Sequence, residues 1–137
     1  MRRLNVRLAQ LKTCVENSIF AISSCPRSRE LEPGEWLLLQ LVMAEARATG
    51  HSHRRIEHAI VFDYLEEDRD GTLSRRYWPA ENRTWRWIVR GSETIDVLPF
   101  SIEDLPLEDP RKYMGQTNPQ YISPEDEEII RRHLGVR

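Results

Sequence analysis

The chain is poor in the features that staple or anchor a protein. Only two of its 137 residues are Cys, Cys14 and Cys25, and their spacing is not that of a metal site. Neither a disulfide framework nor a cysteine–zinc centre is therefore expected. No run approaches the ~18 apolar residues of a membrane span. The opening segment MRRLNVRLAQL lacks the apolar core and small-residue cleavage site of a signal peptide. Together these absences point to a reduced, cytoplasmic protein with no membrane partner. Lysine is nearly missing too: of twenty Lys and Arg residues, only Lys12 and Lys112 are Lys. There is no internal repeat and no low-complexity tract. What is there, 39% hydrophobic and 31% charged residues, fits one domain over residues 1–137 with a core of its own.

The formal net charge of −2 excludes a generally basic nucleic-acid coat. The charge is uneven, however. Ser101–Glu128 carries eight acids against two bases. Such a segment can mask a locally positive face elsewhere and can itself meet a protein partner. The excess of Arg over Lys has two readings: a GC-rich genome, or the fit of a planar guanidinium to phosphates and base edges.

The longest strand-like run is Arg54–Glu67. Ile56, His58, Ile60, Phe62 and Tyr64 fall on one face of an extended chain; Ala59, Val61 and Leu65 fall on the other. Both faces are partly apolar, which predicts a central strand. Asp70-Gly71 is a hairpin-turn signal, predicting a return strand over Thr72–Trp78, a break at Pro79 and a further strand through Trp85–Arg90. Gly91-Ser92 reads as another turn, with a strand over Thr94–Phe100 after it. Upstream, Leu4, Leu8, Leu11 and Val15 predict an amphipathic helix over about residues 3–16. Ile19–Ser24 reads as a short buried strand. After the turn at Pro33-Gly34, WLLLQLVMAEARATG fits either one helix or a strand at Trp36–Val42 followed by a helix. Ser101 begins a capped helical turn. Leu105–Tyr121 is Pro-rich and wraps the surface. Ser123 as N-cap, Pro124 at the first helical position and acids in the first turn predict a helix over about 123–134.

Several groups carry candidate chemistry. Asp68-x-Asp70-Gly71 shares part of a calcium-loop spacing, but Tyr77 stands where the closing Glu is needed. His51 and His53 lack further metal ligands nearby in sequence and read as loop residues or phosphate contacts. Ser23, Ser24 and Cys25 follow a strand, as nucleophiles do, without a hydrolase signature. No catalytic residue, metal or cofactor is assigned. The most distinctive cluster is Tyr77, Trp78, Trp85 and Trp87, set among Arg75, Arg76, Arg83, Arg86 and Arg90. It fills the core of a small sheet, or it lines a pocket that accepts an extruded base while Arg side chains hold the backbone phosphates.

The order of these elements resembles the PUA-like superfamily, which includes the PUA, ASCH, EVE and YTH domains. The likeness is carried by the early strand IFAISS, the turn and apolar run LEPGEWLLLQLV, the long strand RIEHAIVFDYLEE and the meander after it, over about residues 18–100. It is the resemblance that favours a strand at Trp36–Val42. It implies an α+β fold, a PUA-like twisted β-barrel or meander flanked by N- and C-terminal helices. Domains similar to this bind RNA or DNA, and the EVE and YTH branches hold a modified base in an aromatic cage. EVE-like domains also serve as sensor modules of modification-dependent restriction systems. By analogy, Ser23, Ser24, Trp36, Tyr77, Trp78 and Trp85 are the candidate ligand walls. Arg27, Arg29, His53, Arg54, Arg55, Arg75, Arg76 and Arg83 are the candidates for the nucleic-acid backbone. Two rival readings stand beside this one. The chain is a protein-interaction or regulatory subunit, or a small metal-dependent nuclease or hydrolase using Asp63, Glu66 and His51 or His53.

Overall fold

The apolar run at Trp36–Leu41 is a strand, buried at five of its six residues. A continuous apolar run suits a central strand covered on both faces, and the short helix Met43–Ala48 follows it as expected. A computed structural model describes residues 1–23, 31–115 and 117–135. In chain order the elements are β1 (Arg2–Val6), α1 (Leu8–Asn17), β2 (Ile19–Ile22), β3 (Trp36–Leu41), α2 (Met43–Ala48), β4 (Arg55–Glu67), α3 (Thr72–Tyr77), β5 (Trp87–Phe100), β6 (Gln120–Tyr121) and α4 (Pro124–His133). Short 3-10 turns lie at Ile102–Asp104 and Pro110–Tyr113. The fold is α+β. Its six strands form one open sheet in the order β2-β5-β4-β3-β1-β6. β1 runs parallel to β3, and the other neighbours are antiparallel. Among the described residues no helix is long and apolar enough to cross a membrane.

The sheet separates two apolar clusters. Leu37 and Leu39 join Leu4, Val6, Ile60, Phe62, Trp78 and Trp85 on one side. Leu38 faces Ile56, Ala59, Val97, Tyr113 and Ile130 on the other. Alternation along β3 therefore feeds both cores. Helix α1 covers the first core with Cys14, Leu11 and Val15. Burial pushes the Cys14 thiol up to about 12, which keeps it protonated and unreactive.

Four expectations are corrected. The helix predicted from residue 3 begins at Leu8, because Arg2–Val6 pairs between β3 and β6. The periodicity that suggested a longer helix was partly fortuitous, since Leu8 is 48% exposed. The return strand expected at Thr72–Trp78 is helix α3. Gly71 sits in the left-handed region at φ 76° as its N-cap rather than inside a hairpin. Asp68 makes the difference: its carboxylate accepts from the Leu73 and Ser74 amides at 3.1 and 2.8 Å, satisfying first-turn donors that a strand would not present. Gly91-Ser92 does not turn the chain, and β5 runs through it. Nor do the apolar residues of β4 share one face. Register shifts beside Ile56 and around Phe62 send Ile56 to the second core and Ile60 and Phe62 to the first.

The C-terminal helix matches its sequence signature. Ser123 Oγ accepts from the Asp126 amide at 3.3 Å, and Pro124 opens the helix. Burial works to raise the Asp126 carboxyl, but hydrogen bonds from Tyr113 Oη, Lys112 and Ser123 outweigh it and hold the group below the usual carboxylate range. Arg3, fully buried, ties the segment after Tyr113 to the sheet. Its Nη1 donates to the Thr117 carbonyl at 3.0 Å and to Asn118 Oδ1 at 3.2 Å. Burial, aided by the nearby Arg54 cation, lowers the Arg3 pKa to about 10.

Two outcomes follow from these contacts. A Cβ at position 91 would stand 2.3 Å from Ile60 Cγ2 and 2.9 Å from the Val61 carbonyl oxygen. Gly91→Ala is expected to destabilise the fold by about 1–3 kcal/mol in urea denaturation. The depressed Asp126 group contributes stability that is present above its unfolded pKa of about 3.9 and is lost as pH falls through the folded value. Asp126→Asn is therefore expected to be the less stable protein at neutral pH, with the gap closing below about pH 4. Thermal melts across pH would read it.

Candidate functional site

The aromatic cluster divides once it is placed in the fold. Trp78 is 4% and Trp85 5% exposed, and their rings meet edge to face with centroids 5.4 Å apart. Trp78 is a core residue, and Tyr77 packs at the margin of the same cluster. Trp36 belongs to the other side of the sheet, against the second core and beneath Arg131. The expected ligand walls thus do not surround one hollow. Ser24, Arg27 and Arg29 lie outside the described residues.

Ser23, Arg83 and Trp85 do come together. They line a cleft of about 620 Å³ whose near wall is Phe20–Ser23 and whose far wall includes Asn5, Arg7 and Val42. The sheet curls so that the edge of β2 approaches the ends of β1 and β3 without pairing to them, and the cleft fills that gap. The Arg83 guanidinium lies 5.2 Å from the Trp85 ring centroid and donates to Ser23 Oγ at 3.0 Å. It is exposed and forms no ion pair among the described residues. Arg7, by contrast, is held by both oxygens of Glu81 at 3.0 Å, and Gln10 also donates to that carboxylate. Past Ser23 and Trp85 a second hollow of about 690 Å³ continues toward Arg69 and Arg86. Both of these Arg residues pair with Glu67, whose carboxyl the Arg69 hydrogen bond holds below its usual range.

Trp85 is fixed by a buried relay. Ser74 Oγ accepts from the Trp85 amide at 2.9 Å and donates to Asp68 Oδ2 at 2.7 Å. Asp68 is 5% exposed and Ser74 fully buried. Nothing in the sequence singled out Ser74, and the turn signal at Asp70-Gly71 hid the capping role of Asp68. Asn5, Arg7, Gln10 and Asn118 were also missed, because they reach the cleft from separate parts of the chain.

The remaining candidates lie elsewhere. Arg75 and Arg76 are exposed on α3; Arg76 lies 5.4 Å from the Tyr77 ring centroid and Arg90 5.3 Å from the same centroid. His53, Arg54 and Arg55 do not line the cleft and pair with Asp104, Glu103 and Glu57. Asp63 is exposed, Glu66 pairs with Arg90 at 2.8 Å, and His53 lies before the opposite end of β4, so these three do not gather as a hydrolytic site. Among the described residues no group of three or more His, Cys, Asp or Glu could hold a metal ion. In α4, Asp126, Glu127 and Glu128 are engaged by Lys112, Arg131 and Arg132, so much of the helix's acidity is spent within the chain.

Ser74→Ala is expected to leave the Asp68 carboxylate and the Trp85 amide each short of a buried partner. The loss should be about 1–3 kcal/mol in urea denaturation, with a red shift in Trp emission under native conditions. No family model, curated protein or solved structure matches this chain.

Proposed function

We propose that the chain is a nucleic-acid-binding module of PUA-like type that takes one base into the cleft beside Trp85, a modified base in DNA being the favoured ligand. The observation that carries this reading is Arg83. It lies over an aromatic ring, is anchored only to a serine hydroxyl, and has no acidic partner among the described residues, at the mouth of a cleft of about 620 Å³. That volume lies within the range of small-ligand sites. A guanidinium over an aromatic ring at an exposed site is worth only about 0.5–1 kcal/mol, and Arg83 is exposed although the Trp85 ring beneath it is largely covered. A base can therefore take its place over the indole while the guanidinium moves onto a backbone phosphate. The element order from β2 to β5, and the approach of the β2 edge to the end of β1, support the PUA-like likeness.

Most other cations around the groove already share a carboxylate, so the electrostatic component is small. Titration of single-stranded oligonucleotides with and without modified bases, read by Trp fluorescence, tests the proposal. Binding at low salt is expected. Arg83→Ala should weaken it at least tenfold and reduce the log–log salt slope by about 0.7, the value for one phosphate contact on a single strand. A protein indifferent to every DNA and RNA oligonucleotide at low salt would overturn the reading.

A further inference from the structure

The cleft meets β2 on its edge. Four consecutive residues, Phe20, Ala21, Ile22 and Ser23, line it. Side chains on a strand alternate between faces, so neighbours in sequence share a cavity only where the cavity runs along the strand's main chain. No strand pairs with this edge among the described residues, since β2 is the last strand of the sheet and only β5 adjoins it.

The register says which main-chain groups point outward. Ser18 continues the β2–β5 pairing, and its carbonyl accepts from the Gly91 amide at 2.7 Å. Position 91 thus bonds toward position 18 as one half of a hydrogen-bonded pair, the Ser18 amide itself going to the Cys14 carbonyl as the cap of α1. Such pairs recur every second residue in an antiparallel ladder. Phe20 with Val89 and Ile22 with Trp87 are therefore the next bonded pairs, and Ala21, opposite Ile88, turns both its N–H and its C=O away from β5. Outside the ladder, neither group bonds another described residue. Ile19, the other outward position within the strand, is fully buried, whereas Ala21 is partly exposed.

We infer that the main chain of Ala21 is the base-reading element of the cleft, its N–H and C=O engaging an adjacent acceptor and donor on the edge of a nucleobase. This deepens the nucleic-acid reading above and rests on it. One reachable donor–acceptor pair is too little for an added peptide strand, which needs a row of them. It matches a single planar heterocycle, whose hydrogen-bonding edge carries such a pair. Ser23 and Trp85 border the same space, and Arg83 stands at its rim to hold the attached phosphate. A base read this way is distinguished by what its edge offers. A substituent that removes the exocyclic N–H leaves the Ala21 carbonyl without a partner in a desolvated site.

The test uses ¹⁵N-labelled protein titrated with deoxyadenosine monophosphate and with its N6,N6-dimethyl derivative, and oligonucleotide binding by Ala21→Pro. Proline removes an outward N–H and no ladder bond, a change that edge strands accept. The Ala21 amide is expected to shift with the parent nucleotide and not with the dimethyl form. Ala21→Pro should keep the wild-type pattern of amide signals elsewhere and bind the oligonucleotide at least tenfold more weakly; Ala21→Gly should bind as wild type. An Ala21 amide that stays still while the Trp85 indole signal moves overturns the inference whether or not the proline variant folds. So does wild-type affinity in Ala21→Pro. If Arg83→Ala weakens binding and Ala21→Pro does not, this inference alone falls. If the wild-type chain ignores all oligonucleotides, the underlying functional reading falls first.

Discussion

β4 and β5 can lie against each other only across a glycine. At position 91 a side chain would enter the space of the Ile60 methyl and the Val61 carbonyl, and it would also approach the Ser18 carbonyl at 3.1 Å. The register slips on β4 at Val61/Phe62, opposite this point. Bulges of this kind increase the local twist of a sheet. The same glycine donates its amide to Ser18, which starts β2 in register on β5. The placement of β2, the direction of its unpaired edge and the gap between that edge and β1 thus all trace to one position without a side chain.

Electrostatics follow a different logic from the one the composition suggests. Eighteen arginines in 137 residues look like a surface made for phosphates, yet many are neutralised by neighbours. Arg2 pairs with Glu35, Arg54 with Glu103 and Arg90 with Glu66. These pairs run from the buried Arg2–Glu35 to the partly exposed Arg54–Glu103 and Arg90–Glu66, and each cancels a positive charge. Arg3 shows the extreme case. It is fully enclosed and its hydrogen bonds go to carbonyls and an amide, so it fastens one segment of chain rather than offering a charge. Against this background Arg83 stands out, exposed over an indole and with no ion pair among the described residues.

The parts of the fold legible in the sequence were those set by short-range chemistry. Ser123 and Pro124 define the start of α4 whatever surrounds them, and the apolar density of Trp36–Leu41 leaves little choice but burial on both faces. Where distant residues decide, local pattern misled. Arg2–Val6 is extended because β3 and β6 flank it. Thr72–Tyr77 is helical because a carboxylate four residues upstream of Thr72 is aimed at its amides. Gly91 lies within a strand because of what lies opposite it. The candidate site was legible to the same degree. Ser23, Arg83 and Trp85 belonged to conspicuous local features, a strand end and an Arg/Trp run. The opposite wall comes from β1, the start of α1 and the segment near Asn118, which only the tertiary fold assembles.

Alternation along β3 has a last consequence. Leu37 and Leu39 feed the core that supports the cleft, while Leu38 feeds the one beneath α4. The sheet is thus a bulkhead between two compartments, and only the one in front borders the cleft. Inherited variation behind it would bear on how long the folded chain survives, whereas variation in front would alter both that lifetime and the outline of the hollow.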